Sequence, residues 1–413
     1  MGKAERYAVG LDIGTTKICC VVGEIKEGGD VHIVGLGEAP SRGLRKGVVV
    51  NLDATVDSVK SAVEEAELMA GVSVESASVG IAGGHIRSFN SRGVVHVSGK
   101  DRTVSNEDLR RVMEAARAVS IPQDREILHV LPQEFVLDDQ GGIASPVGLI
   151  GSRLEANVHI ITAATTSVQN LVTCANRAGI EVRETVLEQL AVAETALSAD
   201  EKELGVALID IGGGTTDLAI FEKGSIWHTA VLAVGGDHFT NDLAVGLRTP
   251  IPDAERLKQR YGCALSSMVQ ENEVIEVPTV GGRKARLLSH QVMAEILQPR
   301  AEEIFSLIRD EVGRAGFDKN LNAGVVLTGG GSMLPGLTEV AEQVFDLPVR
   351  HGQPSGVDGL VEPASGPQYT AAVGLGLYGA RHQKAPRRLP LNLHNGTLGR
   401  VGGRVRAWFA EMF

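Results

Sequence analysis

The sequence predicts an α/β protein built from two related halves that face each other across a cleft. Two observations carry that expectation. The order strand, aspartate, glycine/threonine loop, strand occurs twice, and a third glycine-rich turn follows another apolar strand. The first copy is GLDIGTTKICCVVGE at residues 10–24, and the second is LIDIGGGTTDLAIF at residues 208–221. Self-similarity of this kind marks repeated architecture.

In the first copy an apolar strand carries Asp12, then come Gly14, Thr15 and Thr16, and Lys17 opens a β-rich run. Glycine lets backbone approach a ligand with no Cβ in the way. Successive N–H groups form an anion-binding concavity, and a carboxylate at a strand end holds water or a cation. Lys17 adds the point charge that phosphate binders use. The second copy places Asp210 before Gly212, Gly213, Gly214, Thr215 and Thr216. Either loop alone reads equally well as a hairpin turn; the pair favours a phosphate chain held between the halves. A dinucleotide fingerprint fails, because Asp217 stands at the third glycine position and LAIF continues as a strand. The G-x-x-x-x-G-K-[ST] pattern is absent from the chain.

The third element is apolar residues 325–327 running into Thr328, Gly329, Gly330, Gly331 and Ser332, with a helix expected from Pro335. Such a turn lets a planar base or ribose lie against backbone. In this order the three elements resemble the actin, sugar kinase and heat-shock chaperone ATPase superfamily: first phosphate loop, second phosphate loop, adenosine loop. The resemblance implies an actin-like fold of two α/β domains with ATP and Mg2+ in the cleft. Asp12, Lys17 and Asp210 would manage phosphate and magnesium, Asp12 and Asp210 being the metal candidates. The glycines and threonines of the two loops, with Gly329, Gly330, Gly331 and Ser332, would cradle the nucleotide.

The same resemblance extends to VLEQLAVAETAL, residues 186–197, as a helix joining the halves. Glu188 falls where related ATPases place a residue that orients the attacking water, which makes Glu188 and Asp210 the catalytic candidates. Slow hydrolysis at most is expected. Downstream, VLAVGGDHFTNDLAVGL and PDAERLKQRYG put Gly235 and Gly236 at a turn near the nucleotide and Glu255 and Lys258 against the adenosine. Spacing alone also allows Glu255 and Lys258 to be an ordinary i, i+3 pair on a solvated helix.

Composition fits this class. A chain of 413 residues suits two or three domains. Its net charge of −11 argues against general nucleic-acid binding, which needs a basic footprint. Cys19, Cys20, Cys174 and Cys263 form no CxxC pair and read as small buried hydrophobes in a reducing compartment. The start, MGKAERYAVGLDIG, leads directly into the first strand, so no signal peptide is expected, and Arg6 stands where a myristoylation signal needs Ser or Thr.

Residues 81–163 distinguish the branch. GVVHVSG, EILHVLPQEFVLD and EANVHIIT alternate with period 2 around one helical segment, SNEDLRRVMEAARAV, where Ser105 and Asp108 suggest a capping box. A small α/β subdomain is expected here. His85, His96, His129 and His159 match no zinc spacing and are expected at strand or turn positions. IAGGHI, HVLPQEFVLD, SPVGLIG and VHIIT resemble the FtsA family of bacterial cell-division proteins, and the likeness covers essentially the whole chain.

That resemblance implies a division-specific subdomain at 84–163 that mediates contacts between subunits. The first actin-like half would be 1–83, with 164–192 and 360–381 returning to it. The second half would be 193–359, including a subdomain at about 235–315. Family partners would be the C-terminal peptide of the tubulin-like protein FtsZ, further copies of the chain in filaments, and other division proteins. The segment SHQVMAEILQPRAEEIFSLIRDEVGRAGF reads as a core helix through Val292, Ile296, Ile304, Leu307 and Ile308, interrupted at Pro299. Arg300 and Glu303 on it are the candidates for the FtsZ contact.

The chain end changes composition. From Arg381 onward seven basic residues face the single acid Glu411, a net +6, so the preceding chain carries about −17. After a tether at 382–400, residues 401–413 place Val401, Val405, Trp408, Phe409 and Met412 in one apolar sector, Phe413 at its margin and Arg404 and Arg406 beside it. This suits an amphipathic helix lying on an anionic membrane, and it is too short and charged to span one. A helix docked on its own core, or on a partner, is the alternative. The whole reads as an ATP-binding division protein at the cytoplasmic face of the bacterial membrane. An actin-like pilus-assembly scaffold, or a small-molecule kinase of the same superfamily, would share the core.

Overall fold

The protein was analysed as a computed structural model that describes residues 6–99, 101–270, 273–281, 284–359 and 362–382. The tether beyond His382 and the expected membrane residues Val401, Arg404, Val405, Arg406, Trp408, Phe409, Met412 and Phe413 lie outside the described residues.

Two five-stranded sheets have the same plan. In the first, the spatial order is Glu181–Leu187, Ser76–Ile81, Tyr7–Ile13, Lys17–Ile25, Val31–Pro40. In the second it is Val349–His351, Val325–Thr328, Val206–Ile211, Thr216–Glu222, Ser225–Leu232. Each joins an antiparallel three-stranded meander to two parallel strands. Parallel strands need crossovers, and helices supply them: Leu52–Ala70 in the first half, and in the second a series that ends with His290–Arg314. Strands covered on both faces read as unbroken apolar runs, as Ala207, Leu208 and Ile209 do, all buried. The four cysteines are buried free thiols.

The helix Leu52–Ala70 shows how locally these elements are written. Asn51 accepts a hydrogen bond from Ala54 N–H at 3.1 Å at its start, and Gly71 closes it at φ 67°. Its face of Val56, Val59, Ala62, Val63 and Ala66 is buried.

A third sheet, ordered Arg87–His96, Arg153–Ala164, Arg125–Leu137, Gln140–Ile143, packs on the helix Asn106–Arg117 around Leu109, Val112, Phe135, Leu154 and Val158. Ser105 and Asp108 form the capping box, with Asp108 Oδ2 accepting from Ser105 N–H at 3.0 Å and Ser105 Oγ accepting from Asp108 N–H at 3.2 Å. Asp108 is fully buried and also accepts from Ser98. His96, His129 and His159 sit on strands of this sheet, and His85 lies in the turn that enters it.

Three sequence expectations need correction. Residues 186–197 are not one helix: Val186 and Leu187 continue the parallel pairing of Glu181–Leu187 with Gly80 and Ile81, and the helix is Glu188–Ala196. Pro299 does not interrupt its helix, which runs His290–Arg314. A helical proline loses one backbone bond and crowds the preceding turn. Burial of Met293, Leu297, Ala301, Ile304 and Ile308 on both sides of it holds the helix together. The expected core stripe is also narrower than drawn, because Val292 and Leu307 are 39% and 40% exposed.

Candidate functional site

The two aspartate loops meet where the halves adjoin. A Cβ on Gly213 would collide with Thr16 Oγ1, and one on Gly214 would lie 3.0 Å from Thr15 Oγ1, so the glycines let the two loops approach this closely. The N–H groups of Thr15, Thr16, Gly213 and Gly214 donate none of the turn hydrogen bonds among the described residues, which leaves them available to an anion. Gly212 N–H is used internally, donating to Thr215 O at 2.9 Å, and Gly14 packs on the Lys17 carbonyl. Thr216 donates its hydroxyl to Val234 O at 2.8 Å and is structural in this state.

The third loop is built onto the second. Thr328 pairs with Asp210 in the sheet, and Gly329, at φ 84°, lies so close to Asp210 Oδ1 and the Ile211 carbonyl that a side chain there would collide. Gly331 packs on Ile211, and Ser332 donates to Gly329 O at 2.7 Å, closing the turn.

Gly235 and Gly236 open the helix Gly236–Gly246 directly behind the second loop, with Gly236 N–H donating to Gly212 O at 2.8 Å. Lys258 Nζ stands 2.7 Å from Glu255 Oε2, the i, i+3 pair that spacing allowed. It also donates to Gly236 O at 3.0 Å and Thr240 Oγ1 at 2.8 Å. The pair is therefore tied to the Gly235–Gly236 turn as well as to itself.

Four carboxylates converge beneath the loops. Burial pushes Asp12 up to about 6, opposed by the charge of Lys17. It pushes Asp210 up to about 8, with repulsion from Asp217 and Asp12 adding to it. Asp217 rises to about 7 from burial, opposed by the hydrogen bond from Thr215. Glu188, first residue of its helix, is raised well above the carboxylate range by burial and then by Asp12, Asp217 and Asp210. Burial and mutual repulsion favour the protonated forms of these acids, and a cation placed among them would oppose that shift.

Lys17 is engaged: its Nζ is 3.1 Å from Glu38 Oε2 and 3.6 Å from the Tyr369 ring centroid, and the Tyr369 hydroxyl donates to the same Glu38 oxygen at 2.8 Å. Arg300 and Glu303 stand apart from this cleft. Arg300 Nε is 2.6 Å from Asp242 Oδ2 and its other end pairs with Glu303, which ties the helix His290–Arg314 to Gly236–Gly246.

Several residues at the site were not singled out from the sequence. Asp217 accepts from Gln189 Nε2 at 2.9 Å and from Thr215 Oγ1 at 3.0 Å, and Gln189 Oε1 is buried without a partner among the described residues. His129, from the inserted sheet, accepts from Leu187 N–H at 3.0 Å, immediately before Glu188. Asp217 repeats the strand position of Cys19 in the first copy, and its polarity in an apolar run was the available signal. Nothing local marks Gln189 or His129.

The duplicated sheets and facing loops define an actin-like protein with an inserted subdomain. Solved structures share this fold: the PilM–PilN type IV pilus biogenesis complex aligns with a TM-score of 0.65 at 19% identity, covering 90% of this chain and 98% of that one. MreB5 of Spiroplasma citri bound to ADP aligns at 0.53 and 16% identity, covering 92% and 98%. Residues 207–374 match the family model for cell division protein FtsA, and residues 83–162 match that for the SHS2 domain inserted in FtsA. FtsA of Pseudomonas aeruginosa is 50% identical over 92% of this chain and 91% of its own. FtsA of Neisseria meningitidis is 44% identical over the full length of both. The chain belongs to the FtsA family of cell-division proteins.

Proposed function

We propose that this protein binds ATP with magnesium between its halves, polymerises, and ties the FtsZ ring to the cytoplasmic face of the membrane through residues 401–413. The observation that carries the nucleotide part is the direct approach of two Asp–Gly–Thr loops whose N–H groups are uncommitted. The phosphates would rest on those groups, with the adenosine toward the turn at Gly329–Ser332 and the Glu255–Lys258 pair. MreB5, of the same fold, is described bound to ADP.

The donor set suits magnesium, a hard cation that takes oxygen ligands and keeps several waters. Among the described residues no three His, Cys, Asp or Glu side chains are placed to hold a bare ion. Asp12 and Asp210 would therefore act through its water shell, the nucleotide completing the sphere. Magnesium would supply charge neutralisation at the phosphates. The protein's own work would be to orient: Asp217 and Thr215 would hold the second loop, and Glu188 would hold a water.

Among the described residues no helix is long and apolar enough to cross a membrane. The attachment is assigned to the tail because basic residues and Trp408 and Phe409 coincide there. Arg300 and Glu303 are proposed for FtsZ only as the rim of that contact, since Asp242 already engages Arg300. The nucleotide reading is tested by calorimetry: ATP binding is expected to require magnesium and to weaken about tenfold or more in Asp210→Asn. Unchanged magnesium-dependent binding by that variant would remove Asp210 from the site.

A further inference from the structure

Residues 41–51 form a small hairpin, Leu44–Arg45 pairing with Val48–Val49, between the last strand of the first meander and the helix Leu52–Ala70. It carries Arg42, Arg45 and Lys46 and no acid. Among the described residues none of these three cations has an ion-pair partner.

The hairpin tip touches both phosphate loops at once. A Cβ on Gly214 would lie 3.1 Å from Lys46 Cα, and Gly47 N–H donates to Thr15 Oγ1 at 3.0 Å. Lys46 adopts φ 51°, in the left-handed region that side chains disfavour, and such positions persist when their surroundings fix them. The back of the tip rests on the entry to the inserted sheet: a Cβ on Gly47 would lie 2.7 Å from Gly83 Cα. Just beyond, both ring nitrogens of His85 are buried without a partner among the described residues, and Arg125 donates to the His85 carbonyl at 2.9 Å.

Direction along the cleft follows from these contacts. The Gly329 turn packs on Asp210 and Ile211, at the strand side of the second loop, whereas the hairpin covers its tip at Gly214. A nucleotide laid from turn to tip presents its last phosphate to the hairpin. Resting on the nucleotide reading above, we propose that Lys46 is a ligand of the terminal phosphate of a bound nucleoside triphosphate. It is carried on a cationic flap whose back contacts the entry to the inserted subdomain. Lys17, held by Glu38 and Tyr369, serves the inner phosphates, and Lys46 distinguishes three phosphates from two.

The test is calorimetry of Mg2+–ATP and Mg2+–ADP on the full chain and on Lys46→Gly, Lys46→Asn and Arg42→Ala. Glycine and asparagine both tolerate the left-handed backbone, so these variants remove the ammonium and keep the turn. ATP affinity is expected to fall about tenfold in both Lys46 variants, as loss of a charge-assisted hydrogen bond implies, with ADP affinity held within about twofold. Arg42→Ala should keep the wild-type ratio of ATP to ADP affinity. Equal losses for the two nucleotides, no loss, or a ratio changed as much in Arg42→Ala overturns the proposal. A wild-type chain that binds neither nucleotide overturns the nucleotide reading itself, and the role of Lys46 with it.

Discussion

Replacing His159 with glutamine should remove a pH dependence built into the junction between the inserted sheet and the second half. His159 is 1% exposed, with Nδ1 2.6 Å from Asn90 Oδ1 and Nε2 3.0 Å from Thr229 Oγ1. The neutral ring satisfies both contacts when Nδ1–H donates to Asn90 and Nε2 accepts the Thr229 hydroxyl. A second proton would place a charge on a ring that is shut off from water. Burial, followed by the nearby His228, accordingly pushes His159 from an ordinary 6.5 down to about 3. Between those values the unfolded chain takes up a proton that the folded chain refuses. Stability from this group is thus complete above pH 6.5 and is lost as pH falls, at about 1.4 kcal/mol per pH unit. At pH 5 the loss relative to pH 7 is about 2 kcal/mol. Urea unfolding followed by Trp227, whose carbonyl accepts from Gln133 across the same junction at 3.2 Å, reads the effect where it arises. His159→Gln should lose about 2 kcal/mol less than wild type between pH 7 and pH 5. Parallel pH profiles for the two chains would refute the reasoning.

Two further outcomes follow from the site and the tail. Gly213→Ala places a methyl group against Thr16 Oγ1, so the Thr16 side chain or the loop carrying it must shift, and ATP affinity should fall at least tenfold in calorimetry with the circular dichroism unchanged. Arg404→Ala with Arg406→Ala should weaken flotation with liposomes on anionic lipid and at low salt, since a basic residue near such a surface contributes about 1 kcal/mol.

The pattern of what was legible follows the range of the interactions. Asp12, Gly14, Asp210 and Gly212 stand in short segments whose chemistry is complete in a few residues, and the duplicated order exposed them. The Ser105 cap was readable for the same reason. Val186 was misassigned because strand pairing with Gly80, far away in sequence, decided its conformation. Pro299 was given too much weight because local propensity was set against tertiary burial, and burial won. His129 and Gln189 reach the site through contacts 58 and 28 residues away in the chain, which no local pattern encodes. No sequence pattern singles out Lys46; the fold sets it beside two loops nearly two hundred residues apart in sequence.

The central claim is that one chain joins a division polymer to lipid. Co-sedimentation of FtsZ with anionic liposomes in Mg2+–ATP tests it directly, comparing no added chain, the wild-type chain and Trp408→Glu. Full burial of Trp408 and Phe409 would contribute roughly 1.5–3 kcal/mol each, and an acid at 408 both removes one share and adds repulsion. The account predicts that FtsZ reaches the liposome fraction with the wild-type chain and stays in the supernatant with Trp408→Glu. FtsZ that is carried down equally by Trp408→Glu, or never by wild type, would contradict it.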